Sequence, residues 1–98
     1  MVNHKDLNRI SGKTQLEPRA ETLHRMILDG VTSVRAVVKL CIATTGSVTQ
    51  AKLVTSTGYA AYDQMLLDSV RDWRYHPYTR NGTPTPACSA VSFIYAVK

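Results

Sequence analysis

Between Ser33 and Ala43 the side chains alternate one by one, Val34, Ala36, Val38, Leu40 and Ile42 against Arg35, Val37, Lys39 and Cys41. Successive side chains of a strand point to opposite faces, so this run is a strand with one face in a core. Thr44-Thr45-Gly46-Ser47 breaks the run, and a second strand from Val48 to Ser56 follows, with Val48, Ala51, Leu53 and Val54 as its apolar positions. The two make a hairpin. Its second strand slips out of strict alternation between Val48 and Leu53, which predicts a bulge there.

After Thr57-Gly58 the apolar period becomes helical. Tyr62, Met65, Leu66, Ser69, Val70 and Trp73 fall on one side, and Asp63, Asp68, Arg71 and Asp72 on the other. Pro77 ends this helix, because proline disfavours helical geometry in the residue before it. Arg80-Asn81-Gly82 is a turn, and Pro84 and Pro86 hold the next residues extended. The last run, Ala87 to Lys98, sets Val91, Phe93, Tyr95 and Val97 against Cys88, Ala90, Ser92, Ile94 and Ala96, a third strand. Upstream, Pro18 can open a short helix in which Ala20, Leu23, Met26 and Ile27 recur at helical spacing before Gly30 stops it. Residues 1–16 have few aliphatic groups and read as a flexible or loosely docked arm, which leaves 17–98 as the domain.

The order helix, strand, strand, helix, strand predicts an α+β fold, a three-stranded antiparallel sheet with helices on one face. The pattern leaves the strand order open. With a right-handed crossover and the first strand central, the last strand pairs antiparallel with the first and presents an open edge.

A chain of 98 residues, 44% hydrophobic and 19% charged, fits one globular domain. No apolar run approaches the roughly 20 residues that cross a bilayer, so no membrane contact is expected of this domain, and any anchor or export signal is expected upstream of it. The formal charge of +5 favours acidic partners. Arg9, Arg19, Arg25, Lys39, Lys52, Arg71, Arg74 and Arg80 are scattered singly, a solvated basic surface rather than the clustered pattern of a nucleic-acid binder.

Gly46-Ser47-Val48, Val54, Ser56-Thr57-Gly58, Asp63, Val70, Trp73-Arg74-Tyr75, Pro77, Gly82 and Pro84 stand in the order and spacing of the TonB C-terminal family, which this chain resembles from roughly Val34 to Lys98. Trp73 to Pro77 is the most diagnostic piece. Read from the residues alone, those positions are structural: Trp73 buries its indole at the helix end, and Arg74 and Tyr75 close that end and brace the following loop. Glu17-Pro18 stands where family members often have Tyr-Pro.

The resemblance implies a periplasmic grip without catalysis. Such a domain would catch an extended segment of an outer-membrane protein, the TonB box, as an added strand. It would transmit proton-motive energy from inner-membrane motor proteins through the region upstream. Strand addition suits an open edge, whose unpaired backbone groups a second strand can satisfy. Ala90, Val91, Ser92, Phe93, Ile94 and Tyr95 are the candidate edge. The same grip could serve gliding motility, secretion or surface assembly, and an exposed last strand is compatible with a monomer or a strand-exchanged dimer.

The two cysteines lie near the end of the first strand and the start of the third, on the face opposite Val34, Val38, Val91 and Phe93. Antiparallel pairing brings these ends together, which predicts a Cys41–Cys88 disulfide, with two free thiols as the alternative. A bridge suits an oxidising compartment and agrees with the periplasmic location the resemblance implies. His4, His24 and His76 have no metal-ligand spacing, and no nucleophile elbow, phosphate loop or dinucleotide fingerprint occurs, so neither metal nor cofactor is expected.

Overall fold

The computed structural model describes residues 2–4, 7–12 and 15–97. Met1, Lys5, Asp6, Lys13 and Thr14, from the expected arm, and Lys98, from the expected last strand, lie outside the described residues. In chain order the elements are β1 (Arg9–Ser11), α1 (Ala20–Leu28), β2 (Ser33–Ile42), β3 (Val48–Thr55), α2 (Ala60–Arg71), β4 (Arg74–Tyr75), β5 (Thr79–Arg80), β6 (Thr83–Pro84) and β7 (Ala87–Ala96). The fold is α+β, built on an antiparallel three-stranded sheet of order β3-β2-β7.

Alternation in β2 becomes burial. Val34, Ala36, Val38, Leu40 and Ile42 are all buried, and they meet Met26 of α1 and Tyr62, Leu66 and Val70 of α2 in two adjoining clusters. On β7 the same inward parity carries Tyr95, Phe93, Val91, Ser89 and Ala87 opposite those β2 residues in turn. Burying whole aliphatic side chains contributes about 2 kcal/mol each, so the β2 stripe supplies much of the drive to fold.

β2 and β3 pair with two irregularities, one leaving Thr49 and one leaving Val54 as the extra residue. The first falls inside the expected slip from Val48 to Leu53. The second turns Val54 outward, where it is exposed. β5 and β6 form a hairpin across Asn81 and Gly82, both at positive φ (54° and 80°), the geometry that matches the twist of tight hairpins.

Two helix faces differ from the sequence expectation. Ile27, placed on the apolar side of α1, is exposed, because Met26 alone of that helix reaches the core fully. Asp63, placed on the solvent side of α2, is buried. Its carboxylate accepts bonds from the Thr57 backbone N–H (2.9 Å), the Thr57 hydroxyl (2.7 Å) and the Ser56 hydroxyl. It thereby satisfies the loop that enters α2, in the manner of a capping side chain. Helical period assigns an acidic side chain to water; only the local donors show why this one turns inward.

Candidate functional site

β7 lies at one end of the sheet, and among the described residues the strand that pairs with it is β2. Two bonds fix which of its backbone groups face outward. The Val2 N–H donates to the Cys88 carbonyl (2.9 Å) from outside the sheet, and the Val97 N–H donates to Thr32, on the β2 side (2.8 Å). In an antiparallel ladder the N–H and C=O of one residue point the same way, and the direction alternates along the strand. Ser89, Val91, Phe93 and Tyr95 therefore bond to β2. Ala90, Ser92, Ile94 and Ala96 turn their N–H and C=O groups to the free edge.

Beside that edge runs a groove of about 380 Å³, lined on the inner side by Phe93, Tyr95, Tyr62 and Leu16, with Gln15 and Glu17 at its rim. The Tyr62 hydroxyl donates to the Leu16 carbonyl (2.6 Å), which ties this flank to α2. Burial raises the Tyr62 pKa, with the neighbouring Tyr95 and Glu17 adding to it, so the phenol stays a donor. Ile94 stands on the opposite, outer face and is 75% exposed.

The Cys41–Cys88 disulfide closes the start of this edge strand. Cys41 and Cys88 face each other across β2 and β7 with Cα atoms 3.9 Å apart, in a pair without ladder bonds, the kind in which the backbones approach most closely.

Trp73, Arg74, Tyr75 and Pro77 do not line the groove. Trp73 and Tyr75 are 2% and 1% exposed, and the Trp73 ring lies 5.9 Å from that of Phe93, behind the edge strand. The Tyr75 N–H donates to the Gly46 carbonyl (3.0 Å), and Arg74 reaches the Ser47 hydroxyl (3.0 Å), so this segment braces the β2–β3 turn. Gly46 has positive φ and sits so close to the Tyr75 carbonyl that a Cβ would lie 1.9 Å from it; no other residue fits there. Pro77 is exposed beyond β4.

The sequence pattern gave no place to the contacts of the arm. Leu7 is buried in the core, β1 pairs with β4, the Arg9 guanidinium lies 5.4 Å from the Trp73 ring centre, and His4 Nε2 is 2.7 Å from the Tyr75 hydroxyl. Gly12 rests so close on the indole that a Cβ would stand 2.3 Å from Trp73 Cδ1. Burial raises Tyr75 to about 12, partly opposed by Arg9. Burial, and then Arg9, lower His4 below its ordinary 6.5. A histidine lowered in the docked state favours docking fully above pH 6.5, and that contribution is lost as the pH falls through 6.5 towards the lower docked value. An NMR titration from pH 8 to 5 is expected to give a His4 midpoint below 6.5, with the amides of Leu7 to Gly12 broadening at the acid end. A midpoint at or above 6.5 contradicts the docking.

Among the described residues, no three His, Cys, Asp or Glu side chains gather as metal ligands, and no helix is long and apolar enough to cross a membrane. No curated protein matches the chain. A family model described as the C-terminal part of the Gram-negative bacterial TonB protein matches residues 25–97, reaching further upstream than the motifs from Val34 onward.

Proposed function

From the premise that the chain belongs to the Gram-negative TonB C-terminal family, a family of periplasmic protein-interaction domains that engage outer-membrane receptors, we propose that its β7 edge captures a TonB box-like peptide by strand addition. The captured segment belongs to an outer-membrane transporter, and the domain passes to it energy drawn from the inner-membrane proton-motive force. The observation that carries this reading is the row of outward backbone groups at Ala90, Ser92, Ile94 and Ala96, bordered by a groove that can receive alternate side chains.

Parity along β7 chooses the test. Proline removes a backbone donor, so its effect depends on where that donor points. At Ser92 the lost N–H faces the edge. At Phe93 it faces β2, and the substitution also removes a packed ring. Ser92→Pro is expected to keep a cooperative melt and to weaken peptide binding about tenfold or more, through a lost bond and a blocked approach. Phe93→Pro is expected to cost about 3 kcal/mol or more of stability. Isothermal titration and urea melts on the two variants check both; full binding by a folded Ser92→Pro protein would remove the edge from the mechanism.

A further inference from the structure

The three strands of the main sheet contain no Asp or Glu, yet they carry Arg35, Lys39 and Lys52. Register places all three on the outer face: Arg35 opposite Ile94, and Lys39 opposite Ala90 on one side and Lys52 on the other. Among the described residues the ion pairs are Arg25–Asp29 and Arg71–Asp68, both within or at the end of a helix, so none of the sheet cations is neutralised. Like charges directly opposite each other destabilise a sheet. An anion laid beside Lys39 would relieve this repulsion.

The groove on the other side of the edge has the reverse character. Aromatic Phe93, Tyr95 and Tyr62 line it with Leu16 and without a cation, and the rim carries the carboxylate of Glu17. A strand added to β7 would direct alternate side chains to these two unlike environments.

Resting on the strand-addition reading, we propose that the captured segment alternates apolar and acidic residues, its apolar side chains in the groove and its carboxylates on the outer face, met by Lys39 and Arg35. An added strand lies two spacings from β2, about 10 Å, a gap that an extended lysine and an extended glutamate span together. Ala90 and Ser92 are small, and leave Lys39 an open path across β7. Slipping the segment by one residue would bring its carboxylates beside Glu17 and the aromatic rings, and its apolar groups over the lysines, so charge and burial select the same register.

The test uses the oxidised domain and two synthetic heptapeptides, one alternating Val with Glu and the other Val with Gln, titrated by NMR at low and high salt. At low salt the Glu peptide is expected to bind about fivefold more tightly, an advantage that salt erodes, with both peptides shifting the amides of Ala90 to Ala96. Lys39→Gln narrows the gap between the peptides, whereas Lys52→Gln, one strand further away, leaves most of it. Equal affinities with shifts still on β7 overturn this inference and leave strand addition standing. So does an equal narrowing by Lys39→Gln and Lys52→Gln, which would mean net charge alone. If neither peptide perturbs β7, strand addition falls, and this inference falls with it.

Discussion

Removing the Cys41–Cys88 bridge is expected to lower the stability of the domain by about 4 kcal/mol, the loop-entropy value for two residues 47 apart in sequence. The bridge contributes mainly by restricting the unfolded chain. It also holds β7 to β2 next to the Cys88 carbonyl that accepts from Val2, so the start of the edge strand should fray first when it is opened. Small domains have about 5 to 15 kcal/mol in all, which makes this a large share. The Cys41→Ser, Cys88→Ser double variant compared with the oxidised protein in urea melts gives the number. A difference under about 1 kcal/mol would mean that the unbridged chain is already restrained by residual structure.

Trp73→Ala is expected to cost a similar amount, about 4 kcal/mol, because a fully buried indole leaves a cavity its neighbours cannot close. Phe93 bounds that cavity from the edge strand, Tyr75 from β4, and Gly12 and Arg9 from the arm. For a domain of about 100 residues this corresponds to a fall of about 20 °C in Tm. Two further consequences separate loss of packing from general damage. The His4 titration should return towards 6.5 as the arm lets go, and Trp73→Phe should recover most of the stability while Arg9 keeps an aromatic face. A Trp73→Ala protein with an unchanged melt would show that the ring is not structural.

The sheet and its staple were legible because period-two alternation fixes both burial and parity. Val34 to Ile42 and Val91 to Tyr95 fall on the same face, and the cysteines on the other, from spacing alone. The seat of the arm was not legible. Leu7, Arg9 and Gly12 form no period, and their positions follow from the shape of Trp73 and Tyr75, which sequence spacing does not describe. Asp63 was misplaced for a related reason, since helical period cannot show that Ser56 and Thr57 offer three donors to one carboxylate. On the edge, the pattern marked Ala90 to Tyr95 as a block. Choosing among those residues required the Val2–Cys88 and Val97–Thr32 bonds, which set the direction of each amide.

Hydrogen exchange at single-amide resolution on the oxidised domain, with and without a synthetic TonB box peptide, tests the edge most directly. Without peptide, the amides of Ala90, Ser92, Ile94 and Ala96 should exchange quickly, while those of Val91, Phe93 and Tyr95 are held by β2. Peptide should slow the first group about tenfold or more and change the second little. Protection confined to the Thr44 to Ser47 turn, or absent from β7, would contradict capture by strand addition.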